Sequence, residues 1–169
     1  MKVRPAMPSQ ATKSRPVKAP TRYLDDTYTW VLEQIALLKA GRRDQIDAEN
    51  IAEELSDLGN ELRSALESAI MVLTMHLLKW DHQKQRRSRS WQLTVRVQRK
   101  RIALLLKRNP GLKGVLTEAV EVGYDRGRDQ ALIEAKLTDK DLPETCPYTF
   151  DEMMTRVIEI EEPVARKRS

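Results

Sequence analysis

The chain has 169 residues and a mass of 19.5 kDa, enough for one sizeable core, with 40% hydrophobic and only 5% aromatic residues. No run of about 18 apolar residues exists to cross a membrane, and a single cysteine, Cys146, excludes a disulfide scaffold. The formal charge of +5 sums unlike blocks: 6 bases and no acid in residues 1–22, 4 bases and 11 acids in 23–78, 11 bases and one acid (Asp81) in 79–108, and 9 bases and 13 acids in 109–169.

Residues 1–22 hold four of the eight prolines and few large apolar groups. Such a stretch cannot bury enough surface to offset its ordering entropy, so a disordered basic arm is expected there. It serves either as an electrostatic arm or as a solubilising leader. The N-terminus also lacks the apolar stretch of a secretory signal, and a cytoplasmic protein is expected. Residues 23–160 read as one all-helical domain, and 161–169 as a short charged tail.

Asp25 or Asp26 caps a first helix whose Tyr28, Val31, Ile35 and Leu38 fall at helical spacing, and Gly41 stops it. Asp47 opens a second. Its apolar positions Ile51, Leu55, Leu58, Leu62, Leu66, Ile70, Leu73, Leu77 and Trp80 recur at steps of three and four. At ~1.5 Å per residue this run spans on the order of 50 Å. The pair Gly59-Asn60 is its one plausible break, so two helices or one kinked helix are expected.

A further helix starts near Ser90 and ends at Asn109-Pro110-Gly111. Leu93, Val95 and Val97 alternate as in a strand, but no turn signal separates them from the next apolar run, and the segment stays helical. Another helix covers roughly 112–136, weakened by Gly123 and Gly127. Thr149 with Glu152 forms a capping-box pattern and opens a short last helix. The predicted fold is all-α, an antiparallel bundle of about five to six helices.

The basic block is the candidate site. From Ser90 onward Trp91, Val95, Gln98, Ile102, Leu105 and Leu106 share one face, while Arg96, Lys100 and Lys107 project from the other and Arg99 and Arg101 sit at its edges. Gln98 places an amide inside an apolar stripe, which costs about 1–3 kcal/mol unless it finds polar partners. Between Trp80 and Trp91 lie Lys84, Arg86, Arg87 and Arg89. Cations between two indoles suit phosphate contacts with stacking surfaces nearby. Alternatively, the indoles anchor the core and the arginines neutralise Glu53, Glu54, Asp57 and Glu61.

Other chemistry is sparse. His76 and His82 are six residues apart, which does not place two ligands on one helical face. His76 can serve as a general base with Glu53 or Glu54 orienting it. Glu54 and Asp57 resemble half of the all-α nucleoside-triphosphate pyrophosphohydrolase motif, but the second carboxylate pair is missing. Cys146 reads as a small packed residue. No metal site, cofactor motif, phosphate loop or nucleophile elbow is recognised.

An ordered set of motifs runs from about Tyr23 to Asp151: Tyr28-Thr-Trp30 with Gln34; Asp47, Asn50 and Glu53-Glu54; Glu67-Ser68; His76, Lys79-Trp80 and Gln83; Arg87, Ser90-Trp91, Thr94 and Gln98-Arg99; Asn109-Pro110; Tyr124; and Cys146-Pro-Tyr148. The set resembles a bacterial family known as domain of unknown function number twenty-nine. The resemblance implies an all-helical fold and draws attention to His76, Lys79, Gln83, Ser90, Gln98 and Arg99, but it implies no reaction. This chain has Glu134-Ala-Lys-Leu137 where the family tends to have Glu-Thr-Gly-Leu, so the helix is expected to end differently. It also has Leu142 where the family usually has phenylalanine.

Three functions are therefore expected. The leading one is nucleic-acid binding through residues 79–108, carried by Lys79, Lys84, Arg86, Arg87, Arg89, Trp91, Arg96, Arg99 and Lys100, with Gln83, Ser90, Thr94 and Gln98 as polar site candidates. The second is an enzyme joining Glu53, Glu54, His76 and Gln98 between helices. The third is a module that docks an acidic protein, or a homodimer pairing acidic and basic helices. No membrane partner is expected.

Overall fold

A computed structural model describes residues 21–159. The expected arm lies almost wholly outside those residues, and the C-terminal tail entirely so. Among the described residues the fold is all-α, with five α-helices, three short 3-10 turns and no strand. None of its helices is long and apolar enough to cross a membrane. The helices are α1 (Thr27–Lys39), α2 (Ala48–His82), α3 (Arg89–Arg108), α4 (Leu116–Ala135) and α5 (Phe150–Thr155). Two compact units, Met1–Glu54 and Leu55–Ser169, divide the chain inside α2.

The first unit is tied together by polar side chains. Asp26 caps α1 by accepting from Thr29 N at 3.0 Å, and Gly41, at φ +70°, supplies the left-handed residue after it. Trp30 is buried, edge-on to Tyr23 and donating Nε1 to Asp47 Oδ2 at 3.2 Å. Gln34 accepts from Asp47 N at 2.8 Å, and Tyr23 donates its hydroxyl to Glu54 Oε1 at 2.6 Å. Asp47 also accepts from Asn50 N and Nδ2, so one carboxylate caps α2 and holds α1. Those bonds, Asn50's first, hold its pKa below the usual carboxylate value against the opposing effect of burial.

Gly59 does not break α2, which runs 35 residues without interruption. An isolated glycine costs only about 1 kcal/mol in a helix, and nothing crowds this one. Between residues 66 and 80 the helix buries Leu66, Ala69, Ile70, Leu73, Leu77, Leu78 and Trp80, which form the centre of the second unit.

Helix α4 lies along α2 in the same direction. Arg63 pairs with Glu118 at 2.6 Å, Arg126 with Glu67 at 3.4 Å and Lys79 with Glu134 at 2.6 Å, so the numbering of both helices rises together. Helix α3 connects the end of α2 to the start of α4 and must therefore run back against both. Ala119, Gly123, Gly127, Ala131 and Ala135 recur every four residues and are all buried. A Cβ at Gly127 would come 2.3 Å from Thr74 Oγ1 and 2.7 Å from Met71 O, and one at Gly123 would come 2.7 Å from Ile70 Cγ2. The two glycines expected to weaken the helix are thus what lets it approach α2.

The helix expected over 112–136 begins later. Pro110–Val115 forms a 3-10 turn, because Pro110 lacks an N–H and Gly111 and Gly114 favour helix weakly. At the far end Lys136 itself adopts the left-handed conformation, φ +55°, while Leu137 N bonds to Leu132 O at 3.1 Å. The alternating segment at Leu93–Val97 is helical, capped by Ser88. Thr149 and Glu152 make the expected capping box on α5.

Candidate nucleic-acid interface

The cations of residues 79–108 divide into two groups. Lys79 is 7% exposed, with its ammonium 2.6 Å from Glu134 Oε2 and 4.7 Å from the centre of the Trp91 ring. Arg87 lies over Trp80 at 4.9 Å and donates Nε to Trp80 O at 2.9 Å. Arg99 donates Nε to Met153 O at 2.7 Å. These three are built into the fold.

The second group is open. Lys84, Arg86, Arg89, Arg96 and Lys100 are exposed, as are Arg101, Lys107 and Arg108. Among the described residues none of the eight forms an ion pair. A 3-10 turn, Lys84–Arg86, presents the first two, and α3 carries the rest. On a helix Arg89, Arg96 and Lys100, at spacings of seven and four, fall in one narrow stripe.

The two indoles contact cations of the protein itself. Trp80 is 3% exposed and its face is taken by Arg87. Trp91 meets Lys79 on its ring and His76 edge-on at 6.5 Å. Trp80 is therefore packed away and offers no stacking surface, whereas Trp91 stays partly exposed, and Lys79 is drawn off the open face.

Of the polar residues, Ser90, Thr94 and Gln98 share one groove, and His76 and Gln83 are not among the residues that line it. His76 donates Nδ1 to Val72 O at 2.8 Å, because a carbonyl can only accept, and Nε2 is then the basic nitrogen. Burial, and then the Lys79 charge, hold its pKa below the ordinary value against the effects of Val72 and Glu134. Gln83 donates to Ala135 O at 2.9 Å, at the end of α4. Ser90, Thr94 and Gln98 line a shallow groove with Arg89, Leu93 and Val97. The partners expected for Gln98 are missing from its Oε1, which is sealed with no donor among the described residues. Nearby donors point elsewhere, Thr94 Oγ1 to Ser90 O and Arg99 Nε to Met153 O.

Glu54 accepts from the Tyr23 hydroxyl within the first unit, and His76 belongs to the second. Among the described residues no group of three or more histidines, cysteines or acids could hold a metal ion. Cys146 is partly buried, with burial pushing its thiol pKa up, the opposite of an activated nucleophile.

Some structural residues escaped the sequence reading. Asp81, the single acid of the basic block, accepts from Tyr148 Oη at 2.8 Å and pairs with both terminal nitrogens of Arg156. Burial opposes its charge, yet Arg156 and Tyr148 outweigh burial and hold its pKa low. Its isolation among cations was a visible signal, but the partner 75 residues away was not. Glu134 was equally hidden as the partner of Lys79.

Residues 22–157 match the family model described as "Domain of unknown function DUF29". No curated protein and no solved structure matches the chain.

Proposed function

The chain belongs to the DUF29 family of domains of unknown function, a premise that brings no reaction with it, and we propose that it binds nucleic acid through the open cations of the turn before α3 and of α3 itself. The reading places it in the cytoplasm. One observation carries it: Lys84, Arg86, Arg89, Arg96 and Lys100 stand exposed with no ion-pair partner among the described residues. A cation already matched by a carboxylate gains little from a phosphate. An unmatched one releases the counterions condensed on the nucleic acid. Trp80 is buried under Arg87 and Lys79 lies over the Trp91 ring, so affinity rests mainly on the phosphate backbone and sequence preference is weak.

The test is a fluorescence-anisotropy titration of single-stranded and duplex oligonucleotides at several salt concentrations. Log affinity falls linearly with log salt, and replacing Arg86, Arg89 and Arg96 by Gln together lowers the slope by about 2–3. Absence of binding at low salt overturns the proposal.

A second reading has its own support. On α1 Tyr28, Leu32, Ile35 and Leu38 are all exposed, Tyr28 at 75%, an apolar row suited to a partner helix or a second copy. A doubled mass in light scattering of the nucleic-acid-free protein would favour it.

A further inference from the structure

Besides the exposed cations, α3 carries one that is half-buried and uncompensated. Arg99 has a backbone acceptor, Met153 O, but no carboxylate within ion-pair distance among the described residues, and its Nη2 is sealed without a partner. Burial, and then the charge of Arg156, lower its pKa. Asp81 already neutralises Arg156. A cation removed from water without a counter-charge is costly, and sites of this kind favour an incoming anion.

Arg99 also lines a groove of about 440 Å³ along α3. The other charged groups lining it are Arg89, Arg96 and Lys100, with no carboxylate among the residues that form it. Its apolar walls are Leu93, Val95 and Ile158. Gln92 fixes the Ile158 wall by donating Nε2 to Ile158 O at 3.0 Å. Four cations facing one groove, one of them locked by a backbone bond, distinguish this place from a merely solvated basic helix.

We infer that this groove is a seat for a phosphate group, held between Arg96, Arg99 and Lys100 and approached from its other end by Arg89. The inference rests on, and sharpens, the polyanion reading. Arg96 and Lys100 are one turn apart and supply the direct contacts, with Arg96 offering two parallel donors and Lys100 a point charge. Arg99, itself lining the groove and held by Met153 O, adds a fixed positive charge beside them. Arg89 lies about 10 Å along the axis from Arg96, too far to share one phosphate closely. It serves the neighbouring phosphate of a strand.

The experiment uses the full chain with two probes, inorganic phosphate and a short single strand of DNA, read by the Nε–Hε resonances of the arginines. Phosphate should shift Arg96 and Arg99 saturably. Arg96→Gln and Lys100→Gln should each weaken it about tenfold, while Arg101→Gln and Lys107→Gln leave it nearly unchanged. Both pairs are exposed, so folding does not confound the comparison. Arg89→Gln should spare inorganic phosphate and weaken the DNA strand. A shift that never saturates, or equal losses from all four substitutions, overturns the seat. Strand binding with equal losses leaves nucleic-acid binding standing and removes the seat. A specific phosphate site with no strand binding does the reverse.

Discussion

At the scale of single residues, the inner end of the basic block trades recognition for packing. The Lys79 ammonium is flanked by Glu134 and by the Trp91 ring, and His76 meets that indole edge-on. Burial first, and then the Lys79 charge, disfavour the charged form of His76 in the folded protein. Its folded pKa lies below the ordinary value near 6.5, so in the interval between the two the unfolded chain binds the extra proton more readily. Stability is therefore complete above about 6.5 and is lost as pH falls through that interval. Asp47, Asp81, Asp141 and Glu152 have lowered pKa values and lose stability only at more acid pH, below about 5. Urea unfolding should give a lower midpoint at about pH 5.5 than at about pH 7.5, and the difference should vanish in His76→Gln. An unchanged slope in that variant would mean that the effect has another source.

At the scale of elements, two substitutions act in opposite senses. Lys136 occupies a left-handed position at the end of α4, where a side chain costs about 1 kcal/mol. Lys136→Gly should stabilise the protein by roughly 0.5–1 kcal/mol. Gly127→Ala improves helix propensity by about 1 kcal/mol but drives a methyl group into Thr74 and the α2 backbone. Backbone cannot yield cheaply, so the net result should be a loss of about 1–3 kcal/mol in chemical denaturation. The same elements show what the sequence made legible. Caps at Asp26 and Thr149 and the apolar spacing of α2 are local signals; both caps form, while the α2 stripe is buried only from Leu66 onward and leaves Leu55 and Leu58 exposed. Gly59, Gly123 and Gly127 look alike in sequence but differ in role. Gly59 faces open space and the other two face α2, a difference only tertiary packing creates. The four-residue repeat of small side chains was the one available clue. At the site, exposure of Arg96 and Lys100 followed from helical phase. The cation contacts on the two indoles depended on Arg87 and Lys79 bending back, which spacing alone does not specify.

At the scale of the molecule, charge and burial are distributed unevenly along the chain. The segment with 11 acids and 4 bases supplies α1 and most of α2, and the segment with 11 bases supplies α3. The isoelectric point of about 9.4 therefore says little about where a polyanion would bind. Burial follows its own division. On α1 only Trp30 and Gln34 are buried, whereas α2 buries eleven residues between Leu66 and Trp80. Full burial of one large apolar side chain contributes about 1.5–3 kcal/mol, and ordering a backbone residue costs about 1–2 kcal/mol. A helix of 13 residues is marginal in water by itself. Its retention thus depends on Trp30 and on the bonds that Asp47 and Gln34 make. Local opening of α1 should accordingly cost much less than global unfolding. Native-state hydrogen exchange should show the amides of α1 exchanging through openings well below the global free energy, with those of residues 66–80 protected up to it. Trp30→Phe, which loses the bond to Asp47, should accelerate exchange in α1 by about five- to tenfold, as expected for about 1 kcal/mol, and leave residues 66–80 unchanged. Equal protection of both segments would instead mean that the exposed row on α1 is covered in solution, by a partner helix or a second copy.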